Sequence, residues 1–262
     1  MNVSNKIAII FHGIAGGMDG HNGVGLPINV SDCAKTIKRS ILSVYDCDVF
    51  IHSWSTEFEK EITSLYSPTA SLFQPQEYFG FNIDQTLNHP KLGQAFRTIS
   101  RYTSLERAIN LKIAHELNNN FKYDWVIVIR FDLVFFNILN ISKCDNALFY
   151  GCFIPEWNHI HDLFFMSNSL NMDIFSRLST EIHSGQYNPS NAHELVVNKL
   201  MRMFNGNTRM FLNYAVKRYE DVEIYRWIIQ QDQLRPEGKL LGSLELKARL
   251  EKLLKEIDEG VK

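Results

Sequence analysis

Tyr123-Asp124-Trp125-Val126-Ile127-Val128-Ile129-Arg130-Phe131-Asp132-Leu133-Val134-Phe135-Phe136 carries more structural information than any other part of this chain. Trp125 to Ile129 is an unbroken apolar run, as expected of a β-strand covered on both faces. Arg130 and Asp132 follow at once, one residue apart, before the chain turns apolar again. Charge at the end of a buried strand is costly unless it is paired or binds something. In open α/β sheets that end is also where ligands sit. Two readings stay open. Arg130 and Asp132 form a buried ion pair, or Arg130 meets a phosphate or sugar hydroxyl while Asp132 holds a divalent cation. Asp132 is therefore the first residue singled out for chemistry.

Outward from this strand, the pattern is that of an α/β protein. Ile7 to Phe11 predicts a first strand, followed by the glycine-rich His12-Gly13-Ile14-Ala15-Gly16-Gly17, extended by Gly20, Gly23 and Gly25. Residues 31–44 predict a helix capped by the Ser31 hydroxyl with Asp32 in its first turn. Asp48 to Trp54 predicts a second strand, completing strand, loop, helix, strand. Residues 66–93, with Pro68, Pro75 and Pro90, read as a long irregular segment. Gln94 to Asn118 predicts a helix from Ile99, Tyr102, Leu105, Ile109 and Ile113 at spacings of three and four. Further strands are expected at 148–154, 163–166 and 222–226, and helices near 171–184 and 192–204. Beyond Pro236, Leu246, Leu250, Leu253 and Ile257 mark an amphipathic helix. It either docks on its own domain or serves as an oligomerisation stalk or connector.

The 262 residues suit one large domain or one domain plus an appendage, and 45% hydrophobic with 21% charged residues is ordinary for a globular protein. A net charge of −2 argues against a nucleic-acid binder. Cys33, Cys47, Cys144 and Cys152 include no C-x-x-C pair, which argues against a structural zinc site or a disulfide framework. Ile7 to Phe11 is too short for a signal-peptide core, and no apolar window is long enough to span a membrane. A cytoplasmic protein is expected. The loop spacing Gly13-x-x-Gly16-Gly17 fits neither a dinucleotide fingerprint nor a Walker A loop. His12-Gly13 is similar to the oxyanion loop of α/β-hydrolases, but no G-x-S-x-G nucleophile elbow accompanies it. His159-x-His161 has metal-pair spacing, yet neighbouring Pro155 and Asn158 place it in a loop. Trp157 and Tyr187 are candidates for stacking on sugar rings.

Several pieces together resemble the GT-A-type glycosyltransferases of bacterial surface-polysaccharide (O-antigen, lipopolysaccharide or capsule) biosynthesis. They are Ile7–Gly17, Asp48-Val49-Phe50-Ile51-His52-Ser53-Trp54, and Ser100 with Ser104, Arg107 and Ala108. Tyr123–Asp132, His161-Asp162-Leu163-Phe164-Phe165-Met166-Ser167 and His193-Glu194-Leu195 complete the set. Order and spacing carry the likeness over residues 5–215. It implies a GT-A-like, Rossmann-like mixed sheet flanked by helices; that domain is expected over 1–235, and the change in composition after Pro236 sets off a helical extension at 236–262. It further implies transfer of a hexose from a nucleoside diphosphate sugar, by default a UDP-sugar, to a lipid-linked or oligosaccharide acceptor. Such an acceptor places the enzyme at the cytoplasmic face of the inner membrane. The chain would have no nucleic-acid partner and would be able to assemble through its C-terminal helix.

The same likeness implies a Mn2+ or Mg2+ ion near Asp132. The family's Asp-x-Asp has Arg130 in its first position here, so Asp132 alone remains as a ligand from that motif. His12, Gly13, Ser100, Ser104, Arg107, Arg130 and Asp132 are the expected donor-binding residues. Inverting chemistry is the expectation, with a general base to take the acceptor proton. Asp162 is the first candidate for that base and Glu194 the competitor. Asp162 could equally sit in a hydrogen-bonded pair with His161, and Glu194 on a solvated helix face. The alternative from another class is a non-catalytic nucleotide- or glycan-binding module that assembles a polysaccharide-synthesis complex.

Overall fold

The computed structural model describes residues 5–15, 29–82, 90–154, 159–204, 216–218, 224–228, 233–236 and 243–260. Strand β1 (Ile7–Gly13) leads through helix α1 (Val30–Ile37) and a π turn (Lys38–Leu42) to β2 (Cys47–Ser53), α2 (Glu59–Tyr66) and β3 (Ala70–Phe73). Helix α3 (Pro90–Asn119) crosses back to β4 (Trp125–Ile129), and β5 (Leu133–Phe135) follows almost immediately. Then come β6 (Phe149–Ile154), β7 (His159–Ser167), α4 (Ser169–Ser176), α5 (Leu178–His183) and α6 (Ala192–Met203). Short strands β8 (Val216–Arg218), β9 (Ile224–Ile228) and β10 (Gln233–Pro236) precede α7 (Ser243–Asp258).

The main sheet has seven strands in the order β3-β2-β1-β4-β7-β6-β8. β3, β2, β1 and β4 run parallel, while β7 pairs antiparallel with β4. This is a mixed sheet flanked by helices, compatible with a Rossmann-like fold. A second, antiparallel sheet has the order β10-β9-β5. The turn Arg130-Phe131-Asp132 is therefore the joint between two sheets.

The apolar run of β4 is buried at every residue, for the reason its sequence gives. Trp125, Ile127 and Ile129 pack with Ala34 and Ile37 of α1 and Ile62 of α2. Val126 and Val128 pack with Tyr102 and Leu105 of α3 and Phe175 of α4. Complete burial of one such side chain stabilises the fold by about 1.5–3 kcal/mol relative to exposure.

Helix α3 is pinned by a buried polar network, not by apolar contacts alone. Lys112 Nζ lies 2.9 Å from Glu116 Oε2 and 2.6 Å from Asp173 Oδ1 on α4. Glu116 also accepts hydrogen bonds from Ser169 Oγ (2.6 Å), Lys122 Nζ (2.7 Å) and the Tyr123 backbone N–H (3.0 Å). Burial pushes the Glu116 carboxyl up, but these donors outweigh it and hold it below its ordinary value. The network ties α3 and α4 to the residue before the Asp124-Trp125 turn into β4, which fixes how α3 lies across β1 and β2. Tyr123 contributes again by donating from its hydroxyl to Asp48 Oδ2 (2.7 Å) at the start of β2.

Some sequence expectations need correction. The first helix starts at Val30 and is capped by the Asn29 side chain, which accepts from the Asp32 N–H at 3.0 Å, not by Ser31. Residues 66–93 are not wholly irregular, because 70–73 form the edge strand β3 and α3 begins at Pro90. The helix expected over 171–184 is two helices meeting at Arg177. His159 and His161 lie on strand β7, not in a loop; their side chains are outside the described residues, as is Trp157. No helix among the described residues is long and apolar enough to cross a membrane.

Helix α7 packs on its own chain. Leu250 and Leu253 are buried with Cys33 of α1, Val134 of β5 and Phe136. Lys35 and Asp258 form an ion pair at 2.8 Å, and the Arg249 guanidinium sits 4.7 Å from the Phe136 ring centre.

Candidate functional site

β1 has β2 on one side and β4 on the other, so the chain reverses its direction of winding between β1 and β4. At such a switch point the loops leaving two neighbouring strands part, which opens a crevice at their C-terminal ends. His12 and Gly13 end β1. The last register pair on the other side is Phe11 with Ile129, so Arg130 lies one step beyond it.

The turn after β4 divides its residues by polarity. Phe131 is fully buried and stacks on Phe11, with ring centres 5.2 Å apart. Arg130 and Asp132 are thereby held next to one another. Arg130 Nε donates to Asp132 Oδ1 at 2.8 Å, and Nη2 donates to Oδ2. This is a bidentate fork, the geometry that a planar guanidinium and a carboxylate share. Asp132 is only 2% exposed. The structure thus realises the ion-pair reading of these two charges.

His12 is the unusual residue. It is 2% exposed, and neither ring nitrogen has a hydrogen-bond partner. A buried imidazole with both nitrogens unsatisfied is costly and asks for an explanation. Burial first, then Arg101, Arg130 and His52, hold its pKa well below the ordinary 6.5, with Asp132 opposing. His12 is therefore a neutral ring offering one donor and one acceptor.

β2 and α3 build the adjoining wall. His12 and His52 are register partners on β1 and β2. His52 Nδ1 lies 2.7 Å from Ser104 Oγ, and that hydroxyl accepts the Gly13 N–H at 2.7 Å. Burial, followed by Arg107, lowers the His52 pKa to about 4, with Gln74 pulling the other way. Gly13 has φ +96, a conformation that side chains resist, so glycine is needed to turn the chain out of β1. Trp54 Nε1 donates to the Ser100 carbonyl at 3.2 Å, and Ser100 Oγ donates to Gln76 Oε1 at 3.1 Å. Arg107 lies 5.0 Å from the Trp54 ring centre and pairs with Glu77 Oε1 at 2.7 Å.

The structure brings together His12, Gly13, Ser104, Arg130 and Asp132, with Ser100 and Arg107 in the contiguous cluster around Trp54. Asp162 lies on β7 two residues before Phe164, the partner of Ile129, so its backbone reaches the same edge of the sheet. Its side chain is outside the described residues. Glu194 is exposed in the first turn of α6. Asn191 Oδ1 accepts from the Glu194 N–H at 3.3 Å, and Asn191 Nδ2 donates to Glu194 Oε2 at 3.4 Å, which is a helix-capping arrangement. Tyr187 is half-buried with Arg202 over its ring at 4.5 Å.

Sequence reasoning passed over Arg101 and His52 as site residues. His52 was legible in principle, since parallel pairing of two short strands places it beside His12. Arg101 has only its helical spacing of three from Ser104.

No protein-family model matches the chain, and no curated protein matches it.

Proposed function

We propose that the protein is a glycosyltransferase that moves a hexose from a nucleoside diphosphate sugar, of the UDP-sugar class, to a surface-glycan acceptor. The observation that carries this reading is the buried, unsatisfied His12 at the end of β1, at the β1–β4 switch point and within electrostatic reach of the Arg130–Asp132 pair. The neutral ring suits an uncharged hydrogen-bonding part of a ligand, a base or a sugar. The arginines suit a diphosphate. Both lie on the edge where open α/β sheets bind nucleotides. The resemblance of the Asp48–Trp54, Tyr123–Asp132 and His161–Ser167 segments to GT-A-type enzymes supports the same reading.

The chemistry needs little from the protein beyond placement. A base takes the acceptor hydroxyl proton, the acceptor oxygen bonds to the anomeric carbon, and the bond from that carbon to the diphosphate breaks. Arg130 would stabilise the charge gathering on the departing diphosphate. Asp162 is the proposed base, because its strand reaches the same edge. Glu194 is exposed in the first turn of α6, held by its N-cap Asn191, and is the weaker candidate. The implied Mn2+ or Mg2+ finds a poor donor set. Both Asp132 oxygens accept from Arg130, and no cluster of three His, Cys, Asp or Glu side chains occurs among the described residues.

The second reading, a non-catalytic nucleotide- or glycan-binding module, draws on the same engaged pair. A panel of nucleotide sugars separates the two. The glycosyltransferase reading predicts slow hydrolysis of one donor by the wild type. It also predicts at least 100-fold loss in Asp132→Ala, which leaves Arg130 without its anchor, while the circular dichroism spectrum is retained. Donor hydrolysis unaffected by that substitution would remove the reading.

A further inference from the structure

We infer that this site holds its diphosphate with arginine in place of a divalent cation, and that Asp132 is a positioning residue for Arg130 and not a metal ligand. The inference rests on the nucleotide reading above and specifies how that ligand is gripped.

Three observations carry it. The position that would supply a first carboxylate for a cation is Arg130. The carboxylate that remains, Asp132, gives both oxygens to the Arg130 fork. A guanidinium clamped there repels an incoming dication and competes with it for both carboxylate oxygens. Finally, the pair is built to be rigid. Asp132 is almost fully buried, Phe131 between the two charges is stacked on Phe11, and the next strand is bonded to α1 through the Phe135 N–H and Thr36 Oγ1 at 3.2 Å. A guanidinium whose plane is already fixed loses little freedom on meeting a phosphate.

The test uses the wild-type chain and UDP, GDP, CDP, ADP and dTDP, titrated calorimetrically in EDTA and in excess Mn2+. One nucleotide should bind with affinities equal within about twofold in the two buffers. Arg130→Lys keeps the charge and loses the fork, and should weaken binding about tenfold. Arg130→Asp creates two carboxylates one residue apart, and its residual binding should require Mn2+. Wild-type binding that disappears in EDTA and returns with Mn2+ overturns the inference while leaving the nucleotide reading in place. Arg130→Asp binding in EDTA as tightly as wild type also overturns it. Failure of all five nucleotides in both buffers removes the inference together with the reading beneath it.

Discussion

His12 and His52 show what the strand ends impose on single residues. Both are imidazoles kept neutral by burial beside arginines. The consequence for stability has a definite sign. Unfolded, His52 takes up a proton near 6.5; folded, it does so only near 4. Between those limits the unfolded chain binds more protons, so stability is complete above 6.5 and falls as pH drops toward 4. His12, whose pKa is also held well below 6.5 by burial, adds in the same direction. From pH 7 to pH 5 the His52 contribution lost is about 2 kcal/mol. Urea unfolding of wild type and His52→Asn at both pH values checks this. The variant should lose about that much less on acidification, and an equal loss in both proteins would contradict the burial argument. Asp132 and Arg130 were legible as residues of interest because two charges interrupt an apolar run. Their mutual engagement was only one of two readings, since spacing does not tell a pair from a pair of ligands. Arg101 was not legible, because nothing in a helical pattern says which polar face meets a strand end.

Among the elements, legibility followed burial. β1, β2, β4 and α3 have cores on at least one full face, so composition and period announced them. The edge strand β3 is half exposed, with Ser71 and Leu72 facing solvent, and follows Pro68 and Thr69; it carries no alternation to detect. Helix α2 buries only Ile62 and Tyr66, too few for a periodic signal. β5 is three residues long and was hidden in the apolar continuation of the central segment. That short strand matters more than its length suggests, because it fixes the chain immediately after Asp132. Thr36, fully buried on α1, accepts the Phe135 N–H at 3.2 Å and donates to the Cys33 carbonyl at 2.9 Å. Thr36→Val keeps the shape and strands that amide, at a cost of about 1–3 kcal/mol. Chemical denaturation should show that loss, and nucleotide affinity should fall with it because the Asp132 turn is no longer held from its C-terminal side. An unchanged midpoint would mean that β5 is secured by the small sheet alone.

At the scale of the whole molecule, the topology concentrates function at one place. The switch point lies between β1 and β4, α3 brings Ser104 to the end of β1, and the joint to the small sheet supplies Arg130 and Asp132. Helix α7 packs against α1, β5 and Phe136, so the last described part of the chain braces the far side of that joint. The docked position is one of the two readings its sequence left open. The proposed function therefore requires a ligand bound between the ends of β1 and β4. A crystal soaked with the nucleoside diphosphate that binds tightest measures this directly. The account predicts density for the diphosphate within hydrogen-bond distance of Arg130, and a ring nitrogen of His12 newly bonded to the ligand. Ligand density on another edge of the sheet, with His12 unbonded and Arg130 making no contact to the ligand, would contradict it.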